Sequence, residues 1–303
     1  MALFGHKRQA ARLAPELDDV ALGRVLRGIA AARGPGPQDL AISQVERLLR
    51  ETGEDWDRRC HRVGVLAQAA PALARSWRAR RPQDPDALAL AVWSELAIDP
   101  HGALALCRVA ADARPADPTP WVGALAALRL LGRPSSELSP VWQEIHARDP
   151  WHREAHLQIL GYLSPEEQGS QAALRDFLDD AIAVMPWDAP TSCLPLTAAV
   201  RQYHRERSGG GIQALGVSRY WSQPHTARLL DQGTAHWLQP GHLRHAAAVA
   251  DLGILAYALV RAGRSGEAGP VFSAVGGLVT PWPWSYEGGP VECYLDHSGR
   301  GQA

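Results

Sequence analysis

Between Arg81 and Pro190 the same punctuation keeps returning: Pro82-Gln83-Asp84-Pro85, Pro115-Ala116-Asp117-Pro118, Asp149-Pro150, and Met185-Pro186-Trp187-Asp188. From Pro85 to Pro118 is 33 residues, from Pro118 to Pro150 is 32, and from Pro150 to Pro186 is 36. Alanine- and leucine-rich stretches, each broken once, fill the intervals. A recurrence of about 34 residues is the signature of stacked helical hairpins, since one hairpin cannot bury its apolar face alone and its neighbour must cover it. This feature constrains architecture strongly and chemistry hardly at all.

The apolar spacing predicts helices over 16–32, 38–51 and from Asp55, with Pro71 opening a short helix to Arg80. Regular hairpins follow at 86–98 with 101–113, at 119–131 with 138–148, and at 151–163 with 170–184. In the 119–131 segment Trp121, Leu125 and Leu128 recur at helical spacing, with Ala124 and Ala127 between them. Small alanines admit a partner helix while the larger residues fill the gap. A helix at 192–207 precedes Ser208-Gly209-Gly210-Gly211, the best candidate hinge. Helices are placed near 213–220, 224–232 and 233–238, then a clearer hairpin runs through Leu252, Leu255, Ala256 and Leu259 to Phe272. This reading divides the chain into N-terminal capping helices (1–81), helical repeats (82–207), and a hinge with C-terminal hairpins and an extended tail (208–303).

Leu252, Leu255-Ala256, Leu259, Gly263, Ala268 and Phe272 stand at the spacings of the tetratricopeptide repeat, with Pro281 one residue late for its terminal proline. The chain thus resembles that family over roughly 82–190 and 246–281, the middle repeats agreeing in period and in Trp121 more than in every signature position. Asp55-Trp56-Asp57-Arg58, the Tyr162–Ser170 connector and Pro283-Trp284-Ser285-Tyr286 make it similar, more narrowly, to an uncharacterised bacterial family of TPR-like proteins. The resemblance implies an all-α, right-handed superhelix (solenoid) of about seven antiparallel helical hairpins, and it implies no activity.

Composition narrows the function classes. A net charge of −1 supplies no field for nucleic acid or an anionic membrane. No run of eighteen apolar residues suggests a membrane span, and Met1–Arg8 is followed by no apolar core of a signal peptide. Cys60, Cys107, Cys193 and Cys293 lie 47, 86 and 100 residues apart and form neither a C-x-x-C pair nor a disulfide framework. A cytoplasmic protein is expected. Lys7 is the sole lysine and asparagine is absent, a bias that implies a GC-rich bacterial genome.

Histidine is the one suggestive residue type, with nine of 12 lying from His146 onward. His152 and His156 stand at i and i+4, a spacing compatible with a metal, but H-x-E-x-H is not the H-E-x-x-H of a metalloprotease. Packing or groove histidines are the preferred reading, and no metal or other cofactor is assigned. His242 and His245, with Asp251 beyond, read equally as an oriented base or as a helix start. Asp179-Asp180 lacks a third aspartate and reads as a solvated face; Gly209–Gly211 is no phosphate loop. Arg78, Arg80 and Arg81 suit a helix C-terminus. Trp93, Trp121, Trp142 and Trp187 read as core, whereas Trp282 and Trp284 are read as folding back over the last hairpin.

The resulting expectation is a non-enzymatic scaffold that binds a protein or peptide in its concave face, through Arg129, His152, Glu154, His156 and His204, with neighbours from 192–204. The alternative is a small-molecule-binding protein or enzyme with a histidine-lined pocket between the repeats and residues 212–245.

Overall fold

The aspartate–proline pairs at Asp84-Pro85 and Asp117-Pro118 stand at helix starts. In the computed structural model, which describes residues 10–31, 37–209 and 216–299, Asp84 accepts hydrogen bonds from the Asp86 and Ala87 amides at 2.9 and 3.1 Å while Pro85 occupies the first helical position. The aspartate satisfies exposed amides of the first turn, and proline costs nothing where no amide partner exists. Asp117 accepts from the Thr119 amide at 2.8 Å one residue ahead of the N-cap Pro118, so it steadies the entry to the helix that follows without being its cap. Asp19, Asp55 and Ser170 likewise accept from the Leu22, Arg58 and Ala173 amides.

Fifteen α-helices result among the described residues, and the protein is all-α. The first ten are α1 (Val20–Ala31), α2 (Pro37–Thr52), α3 (Trp56–Ala69), α4 (Pro71–Arg80), α5 (Pro85–Glu95), α6 (Pro100–Ala113), α7 (Thr119–Leu130), α8 (Ser135–Arg148), α9 (Arg153–Tyr162) and α10 (Gln171–Val184). They are followed by α11 (Leu194–Ser208), α12 (Pro224–His236), α13 (Ala248–Arg261), α14 (Ser265–Val275) and α15 (Pro290–Ser298). A two-residue strand, β1 (Arg12–Leu13), pairs in parallel with β2 (Leu278–Val279).

Two compact units divide the chain. One is Asp19–Thr191; the other joins the described residues up to Asp18 with those from Ser192 onward. In the first, α5 packs on α6, α6 on α7 and α7 on α8, while α3 also meets α5, α5 meets α7 and α7 meets α9. The core beneath α1–α4 runs on into α5 through Ala87, Ala89 and Leu90, so no core boundary falls at residue 81. In the second unit, α11 contributes Leu196, Val200 and Tyr203 to a core shared with Leu255, Tyr257, Phe272 and Trp284. The contacts therefore divide at 191/192, where sequence periodicity places the change after 207. Gly210 and Gly211 of the hinge, and the start of the helix expected over 213–220, lie outside the described residues.

The turns that close α7 and α13 share one geometry. Gly132 and Gly263 take φ of 62° and 73°, and Arg133 and Arg264 donate back to the carbonyls of Leu128 and Leu259 at 3.0 and 2.9 Å. The amides of Gly132 and Gly263 meanwhile donate to Arg129 and Val260. This pair of bonds closes a helix with a left-handed residue, a conformation glycine adopts without a Cβ clash.

Three details depart from the expected elements. The segments 224–232 and 233–238 form one helix, α12. The tail is not extended: Trp284–Tyr286 makes a 3₁₀ turn and α15 follows it. Trp187 is not core but 70% exposed. Trp284 does fold back, buried among the rings of Tyr257, Phe272 and Tyr294 at 5.2–6.0 Å.

Candidate functional site

The start of α9 sets the geometry of the most promising surface. Helix α9 begins at Arg153, so His152 is its N-cap and not a member of a helical His pair: its Nδ1 accepts from the Ala155 amide at 3.4 Å. His156, one turn later, has its Nδ1 3.0 Å from the His152 carbonyl oxygen. Both rings are buried, and each has one nitrogen engaged with the backbone of this turn. Burial disfavours the imidazolium and lowers the His156 pKa to about 4, so this ring is neutral at pH 7. His152 Nε2 meets no hydrogen-bond partner among the described residues.

His156 forms the floor of an aromatic groove of about 490 Å³. Trp142 meets it edge-on at 4.8 Å, Trp151 stacks on it at 5.9 Å and Phe177 lies at 6.1 Å. Helix α8 supplies Trp142, Gln143, His146 and Ala147, and α10 supplies Phe177, Asp180, Ala181 and Val184. The groove exists because α10 buries little, with Leu174 its one fully buried residue. Its apolar residues stay in contact with water: Val184 is 73% exposed, and Ile182 and the following Trp187 are exposed as well. Trp142 is thus half-buried in a groove wall, not enclosed in core.

Arg129 and Glu154 come together, but through an intermediary. Arg129 donates from Nη1 to Gln158 Oε1 at 2.8 Å, and Gln158 donates to Glu154 Oε1 at 2.7 Å. The same guanidinium donates from Nε to Glu167 at 2.7 Å and from Nη2 to its other oxygen. Arg129 is therefore committed to carboxylate and amide partners within its own unit.

His204 belongs to the other unit and is buried there. Its Nε2 lies 2.8 Å from the Tyr257 hydroxyl, and Tyr286, itself 57% exposed, stacks on the ring at 3.7 Å. Tyr257 donates to Glu287 at 3.0 Å, and Arg207 and Arg261 pair with the same carboxylate. Burial lowers the His204 pKa to about 4, against the opposing pull of Glu287. Burial and then Glu287 raise that of Tyr257. For Glu287 burial works upward, yet its arginine and tyrosine partners hold the carboxyl below its ordinary value. A neutral imidazole and a tyrosine kept protonated suit a hydrogen-bonded clasp that fixes the C-terminal segment to α11 and α13.

A third constellation escaped the sequence. Arg59, 1% exposed, donates to Asp117 at 2.5 Å and to Asp86 at 2.6 Å, and Arg114 donates to Asp86 at 2.6 Å. Arg59, Asp86 and Arg114 reach the wall of a cavity of about 520 Å³ that Trp56, Glu46 and Arg50 also line. These residues are spread over some sixty positions, and no spacing rule links them. The groove was partly findable: Trp142 and His146 stand at i and i+4, and neither is enclosed.

The remaining motifs resolve simply. His245 Nε2 lies 2.6 Å from Asp251 Oδ2 with both side chains buried, and His242 stacks on His236, before α13 begins at Ala248. Asp179 and Asp180 are exposed. Arg80 pairs with Asp39, and Arg81 with Glu46 and Asp84. Among the described residues, no group of three or more His, Cys, Asp or Glu side chains is arranged to hold a metal ion, and no helix is long and apolar enough to cross a membrane. Comparison of the chain with protein-family models, curated proteins and solved structures returned no match.

Proposed function

We propose that residues 19–191 are a TPR-like stack of helical hairpins that binds a peptide segment of a partner protein and carries no catalytic activity. The observation that carries this reading is the groove between α8 and α10, where half-buried tryptophan and phenylalanine rings border exposed apolar residues. Aromatic anchors in open clefts are what binding hot spots are made of, and contiguous exposed apolar surface on a soluble protein marks a docking site. The succession α3, α5, α7 and α9, each packed on the next, and the tight turn at Gly132 after α7 favour hairpins as the repeating unit. Four cysteines with no disulfide among them suit a reducing, cytoplasmic setting.

Peptides selected from a random twelve-residue display library on the intact protein test the proposal. Ala181→Glu with Val184→Glu places charge on the groove wall while leaving the core untouched, and it should weaken the selected peptides by about tenfold or more. Circular dichroism verifies that the variant stays folded. Selected peptides that bind wild type and variant alike would overturn the assignment.

A further inference from the structure

Among the described residues, no guanidinium or ammonium group lines the aromatic groove. Its one carboxylate among the described residues is Asp180, and its imidazoles are those of His146 and His156. Asp176 and Asp179 are exposed on the same helix. Elsewhere the chain lays its own guanidinium groups over aromatic faces: Arg148 sits 5.6 Å from the Trp121 ring and Arg261 sits 5.4 Å from that of Tyr257. The faces of Trp142, Trp151 and Phe177 carry the same negative quadrupole, and Asp180 adds to its attraction for a cation. The buried His156 floor, neutral at pH 7, does not oppose it.

From this complementarity we infer that the partner's anchor in the groove is a cationic side chain, arginine above all, received by the tryptophan rings and Asp180. Arginine is favoured over lysine because its planar guanidinium stacks on a ring while still donating to a carboxylate at its edge. An apolar anchor would use the rings alone, and an acidic one would be repelled by α10. The inference rests on the reading of this groove as a peptide site, and its test separates the two.

Octapeptide pools with the central position fixed as arginine, citrulline, leucine or glutamate, and the other positions randomised, are titrated against the full chain by fluorescence polarisation. Citrulline keeps the planar shape of arginine and removes its charge. The arginine pool is expected to bind about fivefold or more tighter than the citrulline pool, a margin that Asp180→Asn and high salt both shrink. Equal binding of arginine and citrulline, or a leading leucine pool, would overturn the cationic anchor while leaving the peptide groove standing. Pools that bind wild type and the Ala181→Glu, Val184→Glu variant equally would remove both.

Discussion

Replacing Arg59 with methionine gives the most direct test of how the first unit is held together. The side chain lies in the interior, bonded to Asp117 at 2.5 Å and Asp86 at 2.6 Å. Methionine fills similar space but leaves Asp117, which is 1% exposed, facing Arg114 at only 3.9 Å and its own bond to the Thr119 amide. Removing one member of a buried ion pair typically costs about 3–5 kcal/mol, most of it the uncompensated charge that remains. At about 2–4 °C per kcal/mol for a unit of this size, the melting transition should fall by roughly 6–20 °C. The double variant Arg59→Met, Asp117→Asn removes that stranded charge and should recover part of the loss, so the two changes should be non-additive by about 1–3 kcal/mol. Urea unfolding followed by tryptophan fluorescence measures all three variants. A loss below about 1 kcal/mol for Arg59→Met, or strict additivity, would refute the reasoning. The pH dependence follows the same logic. Burial works to raise the Asp86 carboxyl, but the guanidinium groups of Arg59 and Arg114 outweigh it and hold the group below its ordinary value. Its contribution is complete above about pH 3.9 and is lost as pH falls further toward the folded value.

Two further outcomes are expected. Gly263→Ala should destabilise by about 1 kcal/mol in urea titration, because an added Cβ there meets no neighbour and the cost is the left-handed backbone alone; no loss would mean that the turn relaxes to another conformation. His156 and His204 should stay neutral by NMR titration down to about pH 4, and the unfolded chain takes up protons from about 6.5 downward, so stability should fall with acid across that window by up to about 1.4 kcal/mol per pH unit for each ring. Ordinary titration of either imidazole near 6.5 would contradict the burial argument.

Much of the fold was legible in the residues themselves. Asp84-Pro85 and Asp117-Pro118 mark helix starts because capping and the missing proline amide act within a few residues. Gly132 and Gly263 announce their turns for the same local reason. The tail was misread because the apolar spacing of the nine residues in α15 is too brief to outweigh the Pro281-Trp282-Pro283 run before it. Trp187 and Trp142 were misread because composition marks a residue as able to be buried, not as covered.

The candidate site was less legible. The spacing of His152 and His156 was visible, but whether His152 opens α9 as a cap or lies within it depends on where the helix begins. Trp142, Trp151, His156 and Phe177 come from three helices and a connector, and only packing brings them around one groove. Likewise Arg59 finds Asp86 in the first turn of α5 and Asp117 in the connector just ahead of α7. The sequence by itself determined the helical class and the tight turns at Gly132 and Gly263, since those are set by forces within one or two turns of chain. Tertiary structure alone decided which apolar faces were covered, that α11 joins the C-terminal core, and that α10 leaves its aromatic wall open, because burial depends on which distant residues arrive to exclude water.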